Sequence, residues 1–169
     1  MPKPNQGTRT RMAEPRDVMR IAQIYNHYVK ESVITFEEEP VTDSEMAARI
    51  AEVRSASLPW LIAEDSSQLT GYAYAAPWRK RSAYRFSVEN TVYVAPEWVG
   101  RGVGSLLYGV FLPILQAQQI HAVMGGIALP NEASIVLHEK FGFRKVAEFH
   151  QVGFKFNRWI DVGYWQRLL

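Results

Sequence analysis

The sequence contains no cysteine. Disulfides, thiolate metal sites and a cysteine nucleophile carrying a covalent intermediate are therefore excluded, and thiol usage says nothing about compartment. An excess of one charge is also missing: 19 Lys and Arg stand against 17 Asp and Glu, for a net +2. Nothing in that balance suggests a nucleic-acid partner. No apolar run approaches the roughly 20 residues of a membrane span. The polar stretch Met1–Arg11 lacks the apolar core of a signal peptide, so no membrane partner and a cytoplasmic location are expected. Internal repeats and low-complexity tracts are absent as well. What the chain has in quantity is core. Of its 169 residues 47% are hydrophobic, which suits one domain, expected over 8–169 behind a loose tail over 1–7.

The most informative stretch runs from Thr91 to Tyr108. Thr91–Val94 is β-branched and aromatic, as a buried strand requires, and Pro96 should end it because proline cannot donate to a sheet ladder. Gly100, Gly102 and Gly104 then leave the backbone bare where Leu106, Leu107, Val110, Phe111 and Leu115 begin a helical apolar pattern. A bare loop entering a helix turns several amide N–H groups toward the positive end of the helix dipole, a setting for phosphate or pyrophosphate. The P-loop pattern fails, since no Lys-Ser/Thr pair follows the glycines. The dinucleotide fingerprint fails because position 107 is leucine. A glycine-rich turn without a ligand is the alternative reading.

Around this stretch, Pro15 opens a helix to about Lys30 with Val18, Ile21, Ala22, Ile24, Tyr25 and Tyr28 inward. Ser32–Phe36 reads as extended, and Pro40 closes the acidic run Glu37-Glu38-Glu39. Thr42 or Asp43 caps a second helix, with Glu45 completing a capping box from Thr42. Strands are expected at Trp60–Glu64, Leu69–Ala76 and Phe86–Val94, the last two joined by a basic aromatic loop, Pro77–Arg85. A strand at Ala122–Ala128, a helix from Asn131 to about Phe141, and strands near Lys145–Val152 and Val162–Leu168 complete the chain. The middle strands follow one another without crossover helices, so the sheet must be mixed.

The glycine loop resembles the pyrophosphate loop of the GNAT acyl-CoA N-acetyltransferases, Arg/Gln-x-x-Gly-x-Gly/Ala, with Val99–Gly104 on the six positions and valine in place of the first Arg/Gln. The element order resembles that family's α/β fold, a mixed and mostly antiparallel sheet with a splayed parallel strand pair. Longer motifs are similar to the phosphinothricin and methionine sulfoximine (sulfone) N-acetyltransferases. They are Tyr25-Asn26-His27-Tyr28, Phe36 with Pro40, Gly71–Ala75 before Pro77-Trp78-Arg79, Val88–Val94, Leu137–Phe143 and Gly153–Val162.

Acetyl transfer from a thioester to an amine needs a base for the amine, polarisation of the carbonyl and a proton for the departing thiolate. Glu89 shares a strand face with Ser87, Thr91 and Tyr93, in the most apolar part of the chain, where burial would raise its pKa. The resemblance implies that it is the base; a glutamate neutralised by Arg85 is the alternative. His138 occupies the place of a family tyrosine thought to protonate the thiolate, which implies an imidazolium donor or a relay through water. A packing histidine is the alternative. One of Glu37, Glu38 and Glu39 is expected at the substrate ammonium, Glu38 by count to Pro40.

The loop from Trp78 through Arg79, Ser82, Ala83, Tyr84 and Arg85 is expected to bind substrate. Arg79 or Arg85 would take a carboxylate bidentately, and Phe36, Trp78, Tyr84 and Tyr93 would wall the pocket. For the co-substrate acetyl-CoA, Val92, Tyr93 and Val94 are expected to pair by backbone with the pantetheine amides. Gly100, Arg101, Gly102, Val103, Gly104 and Ser105 are expected at the pyrophosphate, Asn131 at the pantetheine as well as capping its helix, and Lys140 at a phosphate. No metal is expected. Lys155, Trp159 and Tyr164 either close the pocket or form a contact in the homodimer that the resemblance implies. The function expected is direct acetyl transfer in a ternary complex to the α-amine of phosphinothricin, methionine sulfoximine or methionine sulfone. Another small amine, a protein N terminus or a non-catalytic acyl-CoA-binding domain are the alternatives.

Overall fold

The computed structural model describes residues 8–169; the expected tail over 1–7 lies outside them. β1 (Thr8–Met12) is followed by a 3-10 turn at Pro15–Asp17, α1 (Val18–Glu31) and α2 (Asp43–Ser55). The antiparallel strands β2 (Trp60–Asp65), β3 (Gln68–Pro77) and β4 (Ser87–Val94) come next, then α3 (Val103–Ala117), β5 (Ala122–Ala128), α4 (Glu132–Lys140), β6 (Arg144–Lys155) and β7 (Arg158–Leu168). The strands form one seven-stranded sheet in the order β1-β2-β3-β4-β5-β7-β6. Only β4 and β5 run parallel. No helix of the described residues is long and apolar enough to cross a membrane.

Local chemistry accounts for most boundaries. Thr42 accepts from the Glu45 N–H while the Glu45 carboxylate takes the Thr42 N–H, so the capping box starts α2 as its sequence requires. Ser32–Phe36 is not a strand. It bends, and Thr35 is held by the Tyr25 hydroxyl at 2.8 Å. The closing strands exceed the expected ones and join at Phe156 and Asn157, whose φ values of 50° and 57° suit a two-residue hairpin turn.

Strand alternation sorts the core into two faces. Tyr72 and Tyr93 are paired on neighbouring strands, and Tyr25 and Tyr28 of α1 pack on Tyr93 at 5.3 Å between ring centres. On the other face Gly71 lets Val103 of α3 approach, since a Cβ at 71 would lie 2.9 Å from Val103 Cγ1. Leu107, Tyr108, Phe111 and Leu115, all fully buried, extend that contact along α3.

Candidate active site

β4 pairs with β3 along its whole length but with β5 at only three rungs, Ser87–Ala122, Val88–Val123 and Glu89–Met124. β5 pairs with β7 along its whole length but has no β4 partner from Gly125 onward, so the two parallel strands part beyond Glu89. In an antiparallel ladder alternate residues face the partner. The Trp78 N–H donates to the Ser87 carbonyl and the Ala95 N–H to the Thr70 carbonyl, so the odd-numbered residues of β4 face β3. Asn90, Val92 and Val94 therefore turn their peptide groups into the opening. Tyr93 does not. Its backbone is in the β3 ladder and its ring is buried, so the expected backbone contact from Tyr93 is corrected to a packing role. The Val94 carbonyl already accepts from the Tyr28 hydroxyl at 2.6 Å.

Beyond β4 the chain makes a 3-10 turn at Pro96–Trp98 and enters α3 through Gly100 and Gly102, with φ of 79° and 84°. That left-handed backbone is why glycine stands there. Gly104 has a different task. It is already helical, and a Cβ there would lie 2.9 Å from a Leu137 methyl, so it lets α4 approach α3. The Arg101 N–H is spent on the Trp98 carbonyl and its guanidinium lies over the Trp98 ring at 5.1 Å, whereas Leu106 makes the first α3 bond, to Gly102. The N–H groups of Val103, Gly104 and Ser105 have no backbone acceptor among the described residues, which makes the helix start an anion cradle. Lys140 reaches it from α4, donating to the Ser105 hydroxyl at 2.8 Å. Asn131 caps α4 by accepting from the Ser134 N–H at 3.2 Å.

Glu89, at the last β4–β5 rung, is half-buried and has no hydrogen-bond or ion-pair partner among the described residues. Burial raises its pKa, opposed only by the charge of Arg79. Gly126 leaves room for it: a Cβ there would lie 3.1 Å from Glu89 Oε1 and 3.3 Å from the Tyr164 ring. The Trp78 ring meets Tyr164 edge-on at 5.5 Å, and the exposed Arg79 guanidinium stacks on Trp78 at 4.1 Å. Arg79, Trp78, Tyr164 and Glu89 thus form one group.

Ser82, Ala83, Tyr84 and Arg85 do not join it. Their 3-10 turn folds the loop back toward the ends of α2 and α3. There Ser82, Tyr84 and Arg85 line a separate shallow concavity of about 600 Å³ with Leu58, Lys80 and Ile120. Arg85 stacks on Phe86 and donates to the Ser82 carbonyl, and within this chain it does not pair with Glu89.

The segment between α1 and α2 closes the other side. Phe36 lies against β6 at Gly153, where a Cβ would be 2.4 Å from its ring. Lys155 is buried and donates to the Thr35 carbonyl at 2.8 Å, while Trp159 is 62% exposed and packs on Phe154. Lys155 is therefore an inward anchor and Trp159 a surface residue. Glu37 pairs with Arg49 at 2.7 Å, and Glu38 is exposed.

His138 belongs to a buried chain that sequence reading missed. Its Nδ1 lies 2.7 Å from the Ser134 carbonyl, which can only accept, so Nδ1 carries the proton. Nε2 lies 3.0 Å from the Tyr108 hydroxyl, which itself accepts from the Asn90 amide. Burial lowers the His138 pKa, more than the bond to the Ser134 carbonyl raises it. The ring is a neutral acceptor at Nε2, which replaces the expected imidazolium. Asn90 carried a signal in the sequence, as the one polar residue in the row Val88, Asn90, Val92, Val94.

Comparison with known proteins fits this geometry. Residues 10–163 match the acetyltransferase (GNAT) domain. The chain is 41% identical to a phosphinothricin N-acetyltransferase of Streptomyces coelicolor, over 90% of this chain and 91% of that protein. It is 33% identical to an L-methionine sulfoximine/L-methionine sulfone acetyltransferase of Salmonella typhimurium, over 92% and 91%. A GNAT superfamily phosphinothricin acetyltransferase from Sinorhizobium meliloti, solved in complex with AcCoA, superposes with a TM-score of 0.94 at 34% identity, covering 97% of this chain and 89% of that one. With a domain match along most of its length and relatives this similar over nine-tenths of it, the chain belongs to the GNAT acetyltransferase family and is an N-acetyltransferase.

Proposed function

We propose that the protein transfers acetyl from acetyl-CoA to the α-amine of a small amino-acid-like acceptor, of the phosphinothricin, methionine sulfoximine or methionine sulfone kind. The observation that carries this reading is Glu89, an unpaired, half-buried carboxylate with a raised pKa at the last rung beneath the strand opening. Its proton affinity suits removal of a proton from an ammonium at neutral pH.

Acetyl-CoA supplies the thioester when bound. The Val92 and Val94 peptide groups pair with its pantetheine arm, and the Val103–Ser105 amides with Lys140 take its pyrophosphate. An N–H on the free edge of β4 donates to the thioester oxygen as it gains charge. Arg79 binds the acceptor's carboxylate, and Trp78, Tyr164 and Phe36 wall its side chain. Two protons leave the acceptor nitrogen in the reaction. Glu89 takes the first to solvent, and the second ends on the departing sulfur as the carbon–sulfur bond breaks. His138, neutral and bonded at both nitrogens, holds α4 at the base of the opening and supplies neither.

A homodimer is part of the same reading. Val152, Phe154, Phe156 and Trp159, each about half exposed or more, crowd the outer hairpin of the sheet, and a second copy is the occupant we infer. Sedimentation of the wild type and of Trp159→Lys tests it: a dimer that the substitution weakens is expected, and a wild-type monomer overturns it.

Thiol release from acetyl-CoA, with the three amino-acid-like acceptors, spermidine and an N-terminal peptide offered in parallel, tests the whole. Saturable turnover on the first three with the others silent is expected. Turnover confined to spermidine or the peptide, or none at all, contradicts the reading.

A further inference from the structure

Asn90 is 4% exposed, on the α3–α4 face of β4. Its carboxamide offers Tyr108 either a donor or an acceptor, and the bonds beyond Tyr108 decide which. The Ser134 carbonyl accepts from His138 Nδ1, which leaves Nε2 of the neutral ring as an acceptor. The one Tyr108 hydroxyl proton must then go to Nε2, so Tyr108 has only lone pairs to offer Asn90. Nδ2 of Asn90 donates to them, and Oδ1 faces the other way. That oxygen is buried and has no partner among the described residues.

Oδ1 lies beside Gly125, at the level where β4 and β5 part. A Cβ built on Gly125 would lie 3.2 Å from it, and Asn90 and Gly125 are the first residues past the last β4–β5 rung. An unpaired buried acceptor thus stands at the apex of the cleft, and leaving such a carbonyl without a donor is unfavourable. The absent side chain at 125 makes room there for the His138 ring, whose Nε2 would lie 2.4 Å from that Cβ.

We propose that Asn90 Oδ1 is part of the acyl-CoA site and accepts a hydrogen bond from an amide N–H of the pantetheine arm. This rests on acetyl-CoA entering between β4 and β5. The arm brings two secondary amides, and each N–H taken out of water between the strands needs an acceptor. The β4 backbone supplies some of these; the Val94 carbonyl is already shared with Tyr28. Asn90 adds a side-chain acceptor at the apex, held in one orientation by Tyr108. The thiol of free coenzyme A is a weaker donor and exists only after transfer.

Calorimetric titration of the unliganded protein with acetyl-CoA and with coenzyme A tests this, using wild type and Asn90→Val. The valine variant removes Oδ1 and leaves Tyr108 donating to His138. Both dissociation constants should rise by the same factor, about 3- to 10-fold, because both ligands carry the amides. Unchanged constants overturn the proposal, as does a rise for coenzyme A alone, which would make the thiol the donor. Wild type that binds neither ligand would instead contradict the acyl-CoA reading itself. Should Asn90→Val fail to fold, the side-chain carbonyl carbon of Asn90 in labelled wild type provides the readout. Its resonance should move downfield on saturation with acetyl-CoA, and a resonance that stays in place overturns the proposal.

Discussion

Glu89 and Asn90 are consecutive on β4 and leave the sheet on opposite faces at the level where β4 and β5 part. One peptide bond thus separates a carboxylate that lacks a partner among the described residues from a carboxamide locked into a buried chain with Tyr108 and His138. The carboxylate with the raised pKa lies on the Glu89 face, beside Arg79, Trp78 and Tyr164. On the Asn90 face, Asn90, Tyr108 and His138 hold their protons in one direction, toward Ser134.

Gly125 lies close under the His138 ring on the Asn90 face. A Cβ there would lie 2.4 Å from His138 Nε2, and that ring is bonded on both sides. Gly125→Ala should lower stability by about 1–3 kcal/mol, the usual cost of overpacking. Denaturant unfolding measures this; an unchanged midpoint would show that α4 can move away.

Arg11 links β1 to two carboxylates that are almost wholly buried, Asp17 at 2.7 and 2.8 Å and Glu64 at 3.0 Å. Burial alone would raise both carboxyls, but hydrogen bonds from Arg11, joined at Glu64 by Arg9, hold them below their ordinary values. Their contribution is therefore present above the unfolded pKa values, about 4, and is lost as pH falls through the lower folded ones. Arg11→Ala should cost about 3–5 kcal/mol at neutral pH by stranding buried charge. Urea melts at several pH values check it, and the penalty should shrink once the carboxyls are protonated.

Lys155 anchors the segment that carries Phe36 and Glu38. Burial lowers its pKa, with Glu38 and Glu37 opposing, so its charge is not held for stability. Lys155→Met keeps the bulk and removes the bond to the Thr35 carbonyl. Steady-state kinetics should then show a raised KM for the acceptor amine with the acetyl-CoA dissociation constant unchanged. A change confined to acetyl-CoA would place this segment at the other substrate.

The strand, glycine loop and helix around Gly100 and Gly102 were legible because φ and capping rules act within a few residues. The Thr42–Glu45 box was legible for the same reason. What remained hidden depends on where distant segments pack. Nothing local says that the 3-10 turn at Ser82–Tyr84 folds toward Leu58 and Ile120 rather than toward Glu89. His138 in sequence is a titratable ring on a short helix; only the meeting of α3, α4 and β4 buries it and fixes its tautomer. Tyr93 shows a third limit, since alternation placed its ring correctly while its backbone follows a ladder that the sequence does not display.

The claim that Glu89 is the base is tested most directly by Glu89→Gln, with turnover and acetyl-CoA binding measured on the same preparations across pH. Turnover should fall about 10²- to 10⁴-fold, the contribution of a positioned general base, with acetyl-CoA affinity intact. In the wild type the acid limb of kcat/KM should lie above the ordinary carboxylate range, because burial raises this pKa, and the variant should lose that limb. Near-native turnover at neutral pH, or an acid limb that survives in Glu89→Gln, would contradict the account.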